Sequence, residues 1–247
     1  MRPPSRDSDQ EAIDQFERAL SLDPGSSRIQ GFLARTLAAR VLDQLSDSVE
    51  SDVARAEALV GQALMASPRS PNAHLAKGHL LRFQGRFEDA AAEYETVISL
   101  NPNFAEAYAD LGRSKQLAGS LDETIPLQER AIRLSPRDPG IGNWYYRIGL
   151  VHLLQSRADE AIVWLQKACS AAPGLPYIHA HLASAYALNG DNRRAAEELA
   201  EARRLASSVY SSIARVKANR QKSAPAVTAL YERTFYAGLR KAGMPEQ

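Results

Sequence analysis

Two stretches of this chain, GRFEDAAAEYETVISLNP at 85–102 and GSLDETIPLQERAIRLSP at 119–136, carry one steric pattern 34 residues apart. Each opens on a glycine, Gly85 or Gly119, the residue that enters a tight turn or helix C-cap without a Cβ penalty. Apolar or small residues follow at helical spacing: Phe87, Ala90, Tyr94, Val97 and Ile98 in one, Leu121, Thr124, Leu127, Ala131 and Ile132 in the other. Each run is therefore one face of a helix. Each closes on a proline, Pro102 or Pro136, which biases the preceding residue away from helical ψ and stops the helix.

Further copies lie on both sides. Helix-ending prolines stand at Pro24, Pro68, Pro102, Pro136 and Pro173, separated by 44, 34, 34 and 37 residues. A small residue tracks them as Ala12, Ala56, Ala90, Thr124, Ala161 and Ala195. Upstream of the later copies runs a second amphipathic segment, AHLAKGHLLRFQG, AYADLGRSKQLAG, WYYRIGLVHLLQS and IHAHLASAYALNG. Each unit is thus predicted to be a helical hairpin, with Gly78, Gly112, Gly149 or Ala183 where its helices approach closely and Leu111, Ile148 or Leu182 as the adjoining core residue.

These residues resemble the tetratricopeptide repeat family, a 34-residue helix-turn-helix with a large residue, a Leu-Gly pair, a Tyr, then Ala, an aromatic, Ala and Pro at fixed offsets. The match is carried by Gly78, Leu81, Ala90, Tyr94, Val97 and Pro102, by Tyr108, Leu111, Gly112, Thr124, Ala131 and Pro136, and by Tyr145, Ile148, Gly149, Ala161, Leu165, Ala168 and Pro173. Lys77 stands where the family has Leu, and Thr124 where it has Ala. The resemblance implies an all-α fold, a right-handed α-solenoid closed by a C-terminal capping helix. The expected organisation is a disordered segment over 1–8, a half repeat over 9–26, repeats over about 27–69, 70–104, 105–138, 139–175 and 176–206, and a helical cap over 207–247.

Two insertions depart from the period. The polar DQLSDSVESD at 43–52 is expected to be an elongated loop. PRDPGIGN at 136–143 adds three residues before Trp144, so a bend is expected there. At the far end, Val227, Leu230, Tyr231, Phe235, Tyr236 and Leu239 form a last amphipathic helix, expected to seal the exposed end of the final hairpin. This ending, with the two segments NWYYRIGLVHLLQSRADEAIVWL and PYIHAHLASAYALNGD, resembles the repeat-bearing C-terminal region of bacterial class III adenylate/guanylate cyclases and related regulators. That resemblance implies a regulatory or oligomerising tail as an alternative role, with no catalytic residue inherited.

With 45% apolar and 24% charged residues the chain reads as globular and soluble, and a net charge of +1 argues against nucleic acid as a bulk electrostatic partner. A single cysteine, Cys169, excludes an internal disulfide and reads as a small buried hydrophobe in a reducing compartment. The polar start MRPPSRDSDQ and the absence of a long apolar run imply a cytoplasmic protein without a membrane span.

No catalytic pattern is found. The histidines His74, His79, His152, His179 and His181 form no HExxH, and His179 and His181 point about 200° apart on a helix, so no metal is expected. PGIGN lacks the Lys and preceding strand of a phosphate loop, and no cofactor is expected. The expected partner is a protein or peptide segment. The resemblance places first helices along a concave groove, with candidates Asn72, His79, Arg82, Arg113, Gln116, Asn143, Tyr146, Arg147, Tyr177 and Ser184, beside Leu75, Phe83, Glu106, Leu150, Leu153 and Leu188. Three consecutive aromatics, Trp144, Tyr145 and Tyr146, cannot share one helix face. Tyr146 is the one expected to look into the groove. The clamp with which related repeats grip acidic chaperone tails is not reproduced. Leu75, His79, Asp110 and Asn143 fill its places, and only Arg147 fits. The basic run Arg203, Arg204, Arg215, Lys217, Arg220 and Lys222 reads as a solvated helix surface.

Overall fold

The structure is a computed structural model that describes the backbone from Arg6 to Gln247 and the side chains from Asp7 onward. Among the described residues there is no β-strand, and no helix is long and apolar enough to cross a membrane. A lone helix, α1 (Arg6–Leu22), is followed by α2 (Ser27–Leu42) and α3 (Val49–Ala66), α4 (Pro71–Phe83) and α5 (Phe87–Leu100), α6 (Ala105–Ala118) and α7 (Leu121–Leu134), α8 (Ile141–Leu154) and α9 (Ala158–Ala171), and α10 (Pro176–Leu188) and α11 (Asn192–Leu205). The end of the chain holds α12 (Ser207–Tyr210), α13 (Ile213–Ala218), α14 (Pro225–Tyr231), a π-helical turn (Glu232–Tyr236) and α15 (Ala237–Lys241). The fold class is the all-α solenoid of helical hairpins that the sequence period implies.

The chain divides into two compact units within α6, one running through Ser114 and the other from Lys115 to Gln247. In the first, α1 packs on α2, α2 on α3 and α4, and α4 on α5. Its core joins Ile13, Leu20, Leu33, Leu37, Leu59 and Leu80 around Ala34, Ala56 and Ala76. Small residues are what let these helices close up: a Cβ on Gly78 would stand 2.5 Å from the Tyr94 ring, a separation real Cβ atoms do not show. In the second unit, α8 packs on α9, α9 on α10 and α10 on α11, with Leu150, Leu153, Leu165, Ile178 and Leu182 buried between them.

Turns between paired helices repeat one left-handed conformation. Gly85, Gly119 and Gly190 have φ of +81°, +110° and +85°. In the pair α8 and α9 that place is filled by Ser156, at φ +62°, a conformation that costs a residue with a Cβ.

The structure changes four sequence expectations. Residues 6–8, expected to be disordered, are the first turn of α1, and the rest of the 1–8 segment lies outside the described residues. The loop expected over 43–52 ends at Ser48, because Asp52 is drawn inward: Arg40 donates to it at 2.6 and 2.9 Å and the Ser46 hydroxyl at 2.6 Å. Glu50 and Asp52 then sit in the first turn of α3, where the exposed amide ends of a helix favour acidic residues. The single last helix is split into α14 and α15 by the π-helical turn. Finally, that split helix caps α8 and α10 rather than the outer side of α11.

Replacing Ser156 by Gly is expected to stabilise the protein by about 0.5–1 kcal/mol, and Gly85→Ala to destabilise it by a similar amount. Urea unfolding of the two variants against the parent chain measures both.

Candidate functional site

The recurring hairpin leaves two kinds of polar feature, and the first is a bracket that holds each hairpin closed. His74 and His179 occupy one repeat position, and each sets Nε2 2.9 Å from the carbonyl of the helix-ending proline six residues earlier, Pro68 or Pro173. Tyr108, at the same position, donates to the Pro102 carbonyl at 3.2 Å. The other nitrogen of each histidine meets a second-helix carboxylate, Glu93 at 2.7 Å and Glu198 at 2.6 Å. Cys169 lies 3.8 Å from His179 Nδ1, which brings Cys169, His179 and Glu198 within metal-ligand reach of one another. The His74 bracket forms identically with Leu64 where the cysteine would stand, so packing accounts for the geometry. Burial pushes the Cys169 thiol up to about 12, which makes it an inert packing group.

The second feature is the side presented by the first helices. In the first unit it is a charged floor. Arg82 Nη1 donates to Asp110 at 2.5 Å, and His79 Nε2 lies 2.9 Å from the other carboxylate oxygen. His79 and Arg82 are both only 3% exposed, and the Tyr94 ring packs against each. Burial opposes charge on Arg82 and Asp110, but their attraction outweighs it, raising the arginine further and holding the carboxyl far below the usual carboxylate range. His79, Glu106 and Asp110 also converge, yet the Arg82 cation bonded to Asp110 fills that space with positive charge. Above the floor, Arg35 reaches from α2 to Asn72 on α4 at 3.3 Å and Glu106 on α6 at 2.7 Å. Arg113 is half-buried on α6, and Phe83, at the end of α4, is 43% exposed. His79 and Arg82 are thus brought together at Asp110, where they support the surface from below rather than forming it, while Asn72 meets Arg35.

In the second unit the corresponding side is covered. Tyr146, expected to look outward, is buried at 5% exposure, edge-on to Tyr177 and His181. Its cover is the end of the chain itself: Phe235 stacks on the His181 ring with centroids 3.8 Å apart, and Tyr231 meets the same ring edge-on. Ser184 donates its hydroxyl to the Phe235 carbonyl at 2.9 Å. Gln116 is buried and accepts from Arg147 at 3.2 Å, while Asn143 stays exposed and accepts from the Tyr177 hydroxyl. Tyr177 and Arg147 are half-buried. His181 Nδ1 lies 2.7 Å from the Tyr177 carbonyl, so it carries the proton and Nε2 accepts from the Tyr146 hydroxyl at 3.3 Å. Burial, with Arg147 nearby, pushes this imidazole down to about 3.

Sequence reading missed His181 and the C-terminal segment as parts of this face. The signal available was the apolar stripe itself, whose partner a linear pattern does not name. The basic run is also more engaged than a solvated surface. Arg203 donates to the Tyr210 carbonyl at 3.2 Å, Lys217 pairs with Glu232 at 2.6 Å, and Arg220 lies over the Tyr231 ring and donates to Ser223 and Thr228.

Family models described as "TPR repeat" and "Tetratricopeptide repeat" match residues 78–119 and 103–173. The chain is 32% identical over 107 residues to a cell division cycle protein 27 homolog of Caenorhabditis elegans, a match that covers 43% of this chain and 13% of that protein. Among solved structures it is similar to pilF of Pseudomonas aeruginosa, with a TM-score of 0.62 at 15% identity, covering 95% of this chain and 96% of that one. It is also similar to YrrB, described as a TPR protein with an unusual peptide-binding site, with a TM-score of 0.54 at 16% identity, covering 82% and 96%. At these identities the two structures support the fold. Residues 78–173 are thus the stretch that is similar to tetratricopeptide repeats.

Asp110→Ala leaves the Arg82 charge buried without its partner and is expected to cost about 3–5 kcal/mol in urea unfolding. His181 gives the second unit a defined acid sensitivity. Unfolded, the imidazole takes up a proton below about 6.5; folded, it resists protonation down to about 3. Stability is therefore full above pH 6.5 and falls as pH drops through that window, by about 1.4 kcal/mol per pH unit. His181→Phe is expected to flatten this slope between pH 6.5 and 4.5 when thermal unfolding is followed against pH.

Proposed function

We propose that this chain is a non-catalytic protein-interaction scaffold that recognises a protein segment on the first-helix side of α2, α4 and α6, in the unit ending at Ser114. The observation that carries this reading is the contrast between the two first-helix sides. One is covered by the chain's own C-terminal segment, whereas the other keeps Phe83 exposed at the end of α4 and an Arg35–Glu106 pair whose side chains are 31% and 36% exposed. A solvent-facing aromatic and partly exposed charges on the same set of helices suit a segment that brings an apolar side chain and a carboxylate. The ring supplies area, and guanidinium groups supply directional hydrogen bonds. The floor of Arg82, His79 and Asp110 ties α4 to α6 and Arg35 ties α2 to both, so recognition takes place on a preorganised surface with little ordering cost. The similarity to YrrB, a protein described as having a peptide-binding site, supports the same reading.

The alternative of an oligomerising or regulatory tail, with its likeness to cyclase-associated repeats, has less support. The C-terminal helix that would supply its contact surface already packs on α8 and α10 of the same chain.

Peptides selected from a displayed library on the full chain are expected to lose at least about tenfold in affinity on Phe83→Ala or Arg35→Glu, and to keep it on Val163→Ala. Val163 lies on α9, where it is exposed in the other unit. Selected peptides indifferent to both Phe83 and Arg35 would overturn the reading.

A further inference from the structure

The segment Pro225–Lys241 is held differently from the hairpin helices. Each of those follows its partner through a short turn, whereas this segment arrives through residues 219–224, which carry no helix and are exposed or half-buried. It does not continue the alternation of first and second helices but lies across first helices, on α8 and α10.

Its contacts have the character of recognition. Val227, Tyr231, Phe235 and Leu239 recur every four residues, and all are at most 7% exposed, the apolar stripe of an amphipathic helix laid on a groove. Polar anchors fix its register: the Ala224 amide donates to the Leu117 carbonyl at 2.9 Å, and the buried Ser184 hydroxyl donates to the carbonyl of Phe235. Phe235 lies in the π-helical turn, where the helical hydrogen-bond register changes. Gly238 crosses α10 so closely that a Cβ there would stand 2.1 Å from Ser184 Oγ and 2.5 Å from the Ser184 carbonyl oxygen. The facing surface is matched to the stripe, with His181 stacked on Phe235 and edge-on to Tyr231, and Tyr146 beneath His181.

We propose that the first-helix side of α8 and α10 is a binding site for an amphipathic helix, and that Pro225–Lys241 is its built-in ligand. The tether of 219–224 holds that ligand at an effective concentration of the order of millimolar. A separate helix presenting the same aromatic and glycine pattern therefore gains the site only when the segment undocks. This site is distinct from the open face in the unit ending at Ser114, and the two readings stand or fall separately.

The test uses the full chain, its Gly238→Trp and Phe235→Ala variants, and a labelled synthetic peptide of residues 224–244. Gly238→Trp forces the segment off α10, and Phe235→Ala removes its central ring without a clash. Residues 225–241 are expected to exchange amide hydrogens at least about 100-fold faster in the variants, while α8 to α11 keep their protection. The peptide is expected to bind the variants at least about tenfold more tightly than the parent chain, whose own segment excludes it. Three results would overturn the proposal: peptide binding no tighter to the variants than to the parent; protection lost from α8 to α11 together with the segment in both variants; or a segment that stays protected in both.

Discussion

Everything in this protein rests on the close approach of neighbouring helices, made possible by a small residue at one place in each second helix. Ala56, Ala90, Thr124, Ala161 and Ala195 are all fully buried. Close packing at these points brings the larger side chains on either side into contact, and dispersion summed over many such contacts is what stacked helices gain over isolated ones. The turn glycines serve the same end, reversing the chain within a few residues so that paired helices lie side by side. Ser156 adopts the same backbone conformation without glycine's freedom, so the surrounding hairpin must hold it there.

Once the hairpins are closed, their polar side chains divide by position. Those at the turn, His74, Tyr108 and His179, bind the carbonyls of the helix-ending prolines and so tie first helix to loop. Those on the first-helix side are spent differently in the two units. In one, Arg82 and Asp110 neutralise each other under a surface that stays open. In the other, Tyr146, His181 and Ser184 become a receptor for the chain's own end. The difference is chemical as well as topological. A buried ion pair needs charged partners at short range, whereas an aromatic surface with one hydroxyl is satisfied by an apolar helix and a backbone carbonyl.

The C-terminal segment also explains the lysine and arginine residues before it. Lys217 and Arg220 contact Glu232, Tyr231 and Tyr236, so this part of the basic run binds inward to the segment. Arg204, Arg215, Lys217 and Lys222 stay exposed as a solvated helix surface does, and Lys217 and Arg220 in addition turn to the segment. Sequence spacing locates charges on an element; it does not locate the element.

The hairpins were legible because their determinants are local. A glycine at φ above zero, a proline that ends a helix and an apolar period of 3.6 each act within a few residues, and the period of 34 repeats them often enough to be unmistakable. The fold class, the helix pairs and the small-residue contacts therefore follow from the chain alone. The extension of α3 back to Val49 was not legible, because it depends on Arg40 reaching twelve residues forward to Asp52. Nor was the burial of Tyr146, whose cover lies far along the chain at Tyr231 and Phe235. Which first-helix side is open and which is filled was decided only by tertiary structure. An apolar stripe records that a surface must be buried, and the surface that buries it is chosen by long-range complementarity of shape and hydrogen bonding.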